Sequence, residues 1–158
     1  MKKAYLSILF ACLCAIGVQA QTATPTPDPP STAGNVWRVT YVKIKPGKTT
    51  DYLNFLRTHT RVILDEQKKQ GLIVDYKYFS QPSTDGPDDW DVAQLIIYKN
   101  YADAIDFNAE RGAKFNAITL AHYGSAEART KAGDLQTELR TILSSKLARE
   151  QILNPMLK

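Results

Sequence analysis

The chain has 158 residues, with 44% apolar residues, 23% charged residues and a formal net charge of +4. That composition describes a globular domain and excludes a low-complexity or coiled-coil chain. The charge resides partly in Lys2 and Lys3; without them 18 Lys+Arg face 16 Asp+Glu, a net +2, and no clustered basic face remains for a nucleic acid.

Met1-Lys2-Lys3 is a short positive start, followed by an apolar run over Ala4–Val18 and small residues at Val18 and Ala20 before Gln21. This is the layout of a secretory signal peptide over residues 1–20, too short in its apolar part for a spanning helix. Export to the periplasm or the extracellular space is the expectation, with no membrane span after cleavage. Leu9-Phe10-Ala11-Cys12 offers a lipidation box, but bulky Phe10 and the short apolar run before Cys12 favour ordinary cleavage. Cys12 and Cys14 are the chain's two cysteines, so the mature chain has no disulfide, no thiolate metal site and no cysteine nucleophile.

Residues 21–35 carry Pro25, Pro27, Pro29 and Pro30 among threonines and small residues. Such a stretch has too little apolar mass to offset ordering entropy and reads as a disordered linker. The folded unit expected is a single α+β domain over residues 36–158.

A first strand is expected over Val36–Ile44, where Trp37, Val39, Tyr41 and Lys43 alternate with Val36, Arg38, Thr40, Val42 and Ile44. Pro46-Gly47 ends it. Thr49 or Thr50 is placed to cap a helix that runs to about Gln70, with Tyr52, Phe55, Leu56, His59, Ile63 and Gln67 on one stripe. Gly71 suits a left-handed C-terminal cap after Lys68 and Lys69. A second strand is expected over Leu72–Ser80 and a third over Trp90–Lys99, the latter apolar on both faces as in a central strand. Helix is expected over Tyr101–Phe107, Asn108–His122 and Ser125–Glu138, and a last strand within Thr141–Leu153.

The order β-α-β-β-α-β is the split β-α-β, or ferredoxin-like, arrangement: an antiparallel sheet with helices on one face. Trp37-Arg38-Val39-Thr40-Tyr41-Val42-Lys43-Ile44-Lys45-Pro46-Gly47-Lys48, the following amphipathic helix, the Gly71-Leu72-Ile73 restart and Trp90-Asp91-Val92 resemble the dimeric α/β-barrel superfamily. The resemblance covers most of Val36–Tyr101. It implies a homodimer whose two sheets face each other across a barrel. Relatives in that superfamily include cofactor-free oxygenases, haem-handling enzymes, lactone isomerases and secreted proteins of uncharacterised function.

Few residues carry chemistry. His59 lies on the buried helix stripe and is the one catalytic candidate, a general base or a haem ligand, with an ordinary pKa near 6.5; the alternative is a histidine packed at the helix–sheet boundary. His122 sits near a helix end, where it is either a ligand or a favourable cation at a C-terminus, the latter preferred. Trp37, Tyr41, Tyr76, Tyr78, Trp90 and His122 are the candidates for lining a ligand pocket. Two separate histidines do not make a metal site, and Asp85, Asp88, Asp89 and Asp91 miss the spacing of a calcium loop. No nucleophile elbow, dinucleotide fingerprint or phosphate loop occurs, so neither metal nor cofactor is expected. Two readings remain. One is an exported, non-enzymatic homodimer holding a small apolar molecule between its sheets; the other is a cofactor-free oxygenase or isomerase using His59.

Overall fold

The computed structural model describes residues 29–81, 86 and 88–156. The expected signal peptide, residues 1–20, and residues 21–28 of the expected linker lie outside them. The elements are β1 (Ser31–Ile44), α1 (Thr49–Phe55), a π-helical turn (Leu56–Thr60), α2 (Arg61–Lys69), β2 (Asp75–Ser80), β3 (Val92–Tyr98), α3 (Tyr101–Ile105), α4 (Ala109–Tyr123), α5 (Ala126–Leu139) and β4 (Arg140–Leu153). The four strands form one antiparallel sheet in the order β2-β3-β1-β4. That order, with helices between β1 and β2 and between β3 and β4, is the ferredoxin-like fold. Within one chain the sheet is open, with β2 and β4 at its edges.

β1 corrects the expected linker boundary. It begins at Ser31, and Ser31–Ala33 pair with Leu153–Gln151 of β4. The proline-rich composition of the preceding residues concealed this, because the partner strand is supplied by distant sequence. A register shift between Ala33 and Val36 accommodates Gly34 against Glu150. A Cβ at residue 34 would lie 2.6 Å from the Glu150 carboxylate, whose Oε2 also accepts from the Asn35 amide at 3.3 Å. Glycine at this position leaves room for the Glu150 side chain to lie across the strand.

The first helical stretch starts one residue earlier than a threonine cap would place it. Lys48 is the N-cap, with no side-chain hydrogen bond, and Thr49 is already helical. Lys48 accepts the Tyr52 amide at 2.8 Å through its carbonyl, and Asp51 sits in the positive first turn. The stretch ends as expected. Gly71 has φ +69°, its amide reaches the Lys68 carbonyl at 3.0 Å, and the Leu72 amide reaches the Gln67 carbonyl at 2.9 Å. This is a Schellman motif, and Leu72 at its end is buried. Because Leu72 and Ile73 complete this cap, β2 begins only at Asp75. No atom stands within 4 Å of a Cβ at residue 71, so the cost of Gly71→Ala is that of the left-handed backbone alone. Urea denaturation should show a loss of about 1–2 kcal/mol.

Strand alternation divides the sheet into two faces. Val36, Val42 and Ile44 of β1, Val92 and Tyr98 of β3 and partly buried Tyr76, Tyr78 and Ile96 pack against the helices. One cluster there joins Val42, Ile44 and Val92 to Tyr52, Phe55, Leu56 and Leu139; the other joins Val36 and Tyr98 to Leu64, Ile73 and Ala104. Burial of each large apolar side chain contributes roughly 1.5–3 kcal/mol. The α4–α5 hairpin turns at Gly124, φ +77°, and packs with α4 against α2 and α5 against α1, with Phe115 and Ala132 reaching the core clusters. Asn108 and Ser125 cap these two helices, each accepting a backbone amide three residues on.

Candidate functional site

The candidate residues fall on two sides of the sheet. Pairing Trp37 with Ile97, Val39 with Leu95 and Tyr41 with Ala93 places all six on the face away from the helices. Phe79, opposite Ala93 on β2, joins them and is half exposed. Trp90 stands over Tyr41 with ring centroids 5.5 Å apart. The buried clusters that contain helix residues draw on the opposite face. The Trp37 Nε1 atom is buried without a hydrogen-bond partner among the described residues. A buried indole N–H ordinarily finds an acceptor, so one is wanted here.

Tyr76 and Tyr78 belong to the other side. They pair with Ile96 and Gln94 on the helix-facing surface, 6.1 Å apart. The Tyr76 hydroxyl donates to Asp65 at 2.5 Å, and burial together with that carboxylate pushes its pKa up to about 12. Tyr78 accepts from Gln94 Nε2 at 3.0 Å and is pushed up mainly by burial. Both phenols stay neutral and act as structural donors or acceptors. Trp37, Tyr41 and Trp90 therefore do not share one cavity with Tyr76, Tyr78 and His122.

The structure brings the two histidines together. His59 sits on the π-helical turn and His122 in the last turn of α4, with His59 Nδ1 2.9 Å from His122 Nε2. The rings meet edge to face at 80°, flanked by Phe55 at 4.9 Å from His59 and Tyr123 at 4.7 Å from His122. The π turn inserts one residue into the helical repeat, a local device frequent at functional sites. Periodicity placed His59 on the inner stripe and said nothing of His122, because the α4–α5 hairpin packs in a way no local pattern encodes. His59 lies in the helical layer, with the sheet between it and Trp37 and Tyr41. An oxygenase or isomerase that used His59 on a ligand held against those two residues would need them on one face.

Burial, and secondarily the charge of His122, hold the His59 pKa below the ordinary 6.5. The folded state then binds fewer protons than the unfolded chain just below that pH. The stability His59 contributes is present above 6.5 and is lost as pH falls through its depressed pKa. Carboxylates with lowered pKa, Asp75, Glu66 and Glu110, act only below their ordinary 3.8–4.5. Thermal melts taken from about pH 8 down to about pH 5 should therefore fall, with a shallower slope in His59→Gln.

Other polar groups are structural. Asp91 accepts the Ile44 amide at 2.6 Å and Lys43 Nζ at 3.2 Å, so it ties the end of β1 to β3 and is engaged away from any calcium loop. Asp85, in the same acidic stretch, lies outside the described residues. Arg38 and Arg111, which sequence reasoning passed over, border a cavity of about 350 Å³ with Phe107 and Phe115. Arg38 donates to the Tyr98 hydroxyl at 3.2 Å and to the Ala104 carbonyl, and Arg111 to Asp103 at 3.4 Å and to the Leu72 carbonyl. A larger groove of about 660 Å³ runs between α2 and α4 over Val62, Ile63, Ala117, Ile118 and Ala121, with His122 at its wall. Among the described residues no three His, Cys, Asp or Glu side chains gather as a metal cluster, and no helix is long and apolar enough to cross a membrane.

No family model matches the chain, and no curated protein matches it. Solved structures similar to it include a NIPSNAP family protein from Agrobacterium tumefaciens, 20% identical over 80% of this chain and 91% of that one, TM-score 0.45. A dimeric protein of unknown function and ferredoxin-like fold from Bacteroides fragilis is 13% identical over 77% of this chain and 97% of that one, TM-score 0.39. A dimeric ferredoxin-like protein from an uncultured marine organism is 8% identical over 79% and 93%, TM-score 0.41. These likenesses are remote, and the ferredoxin-like fold of this chain rests on its own strand order, β2-β3-β1-β4.

Proposed function

We propose that the chain is exported and acts as a homodimer that holds a small apolar molecule between two opposed sheets, without catalysing its conversion. The observation that carries this reading is the apolar face of β1 and β3. Trp37, Val39 and Tyr41 alternate there with Ala93, Leu95 and Ile97, on the side of the sheet that the helical clusters do not use. Ala93, Leu95 and Ile97 are already buried in the single chain, and partly exposed Trp37, Val39 and Tyr41 with half-exposed Phe79 leave apolar surface for a partner layer to cover. A second copy supplies one by symmetry, since the same patch then meets itself.

The export half of the proposal rests on the positive, apolar and small-residue pattern of residues 1–20. Light scattering of the chain starting at Gln21 tests association, and native mass spectrometry of the same sample tests for a retained small molecule. A dimer whose mass exceeds twice the chain by a discrete apolar ligand is the expected result. A monomer at micromolar concentration would remove the opposed-sheet arrangement and the pocket with it.

A further inference from the structure

The two histidines converge, although they are 63 positions apart and are the whole complement of the chain. We propose that His59 and His122 form a two-imidazole chelate for a divalent transition-metal ion of the Zn²⁺ or Cu²⁺ class, which clamps the π-helical turn to the end of α4.

The atoms that meet are ring nitrogens, His59 Nδ1 and His122 Nε2, at 2.9 Å. A hydrogen bond between them requires the lone pair of one ring to point at the nitrogen of the other. The two nitrogens thus face each other across that gap from rings set at 80°, and a modest turn of each ring aims both at a common point. A metal ion at that point needs both nitrogens as acceptors, with the proton of each ring on its other nitrogen. The change is a tautomer shift in the ring that donates. With metal–nitrogen bonds of about 2.0–2.1 Å, a tetrahedral ion sets its ligands roughly 3.3 Å apart. Opening the pair from 2.9 Å takes a few tenths of an ångström, within the reach of two half-buried side chains.

Imidazole is a preferred ligand of Zn²⁺ and Cu²⁺. The cysteines that would compete, Cys12 and Cys14, precede the expected cleavage point. Among the described residues no third His, Cys, Asp or Glu joins the pair as a metal cluster. Water completes the coordination, and the ion exchanges readily. Phe55 and Tyr123 flank the rings and limit their freedom to turn away. Both ligands exist in this geometry only in the folded chain, so binding raises stability by linkage.

The test is thermal melting of the chain from Gln21 with zinc chloride alone as probe, near neutral pH. Saturating Zn²⁺ should raise Tm by about 5–10 °C at a hundredfold excess over its dissociation constant, reversed by EDTA and lost in both His59→Gln and His122→Gln. Should either variant fail to fold, protection of both histidines from diethylpyrocarbonate by Zn²⁺ in the unaltered chain decides the matter. No shift, no protection, or the same shift in both variants would show that the pair is a hydrogen-bonded contact only, and would overturn the proposal.

Discussion

Tyr52→Ala is expected to cost about 3–5 kcal/mol, the range for removing a large aromatic side chain from a core, against a total of about 5–15 kcal/mol for a domain. Tyr52 is 1% exposed, among the most completely buried large side chains described. From the first turns of α1 it packs with Val42 and Ile44 of β1, Val92 of β3 and Leu139 at the end of α5. It thereby joins the strand and helix of the first half to the helix and strand of the second. The Arg140 guanidinium lies 6.0 Å from the ring centroid, and its attraction for the phenolate partly opposes the burial that raises the Tyr52 pKa. Tyr52→Phe isolates the hydroxyl: it keeps the ring and should cost only about 0.5–1.5 kcal/mol. Chemical denaturation of both variants separates the two contributions. A Tyr52→Ala chain within 1 kcal/mol of the parent would mean that the two halves are held by other contacts.

The readable parts of the sequence were those set by local chemistry. The alternation of β1 from Val36 put Val36, Val42 and Ile44 on one face and Trp37, Val39 and Tyr41 on the other, as the register shows. Gly71 declared the helix end because only a left-handed cap lets the chain turn there. Asn108 and Ser125 marked two helix starts.

What stayed hidden depended on distant partners. The extension of β1 back to Ser31 follows from the length of β4, which pairs with it to Leu153. The placement of Tyr76 and Tyr78 toward the helices follows from the register of β2 on β3; both tyrosines alternate equally well on either face. The His59–His122 pair depends on how a helical hairpin lies across α1 and α2, for which neither residue carries a local signal. The π turn that sets His59 is equally silent, since Leu56–Thr60 reads as ordinary helix.

The largest functional effect is expected from a charge at the centre of the apolar sheet face. Val39 lies midway along β1, paired with Leu95 on one side and Lys146 on the other. In a single chain its side chain is partly exposed, so a lysine there keeps its ammonium in water, and its proximity to Lys146 costs a fraction of a kcal/mol. In the proposed dimer the same ammonium would be enclosed between two sheets, twice over by symmetry. Burying an unpaired charge costs several kcal/mol, which weakens association about a hundredfold or more. Val39→Lys should therefore be monomeric by light scattering while its circular dichroism and melting cooperativity match the parent. Phe79→Glu, at the edge of the same face and already 51% exposed, should weaken association less, as rim charges do. If Val39→Lys remains dimeric with unchanged affinity, the subunits meet through another surface, and the apolar face must be covered by something other than a second copy.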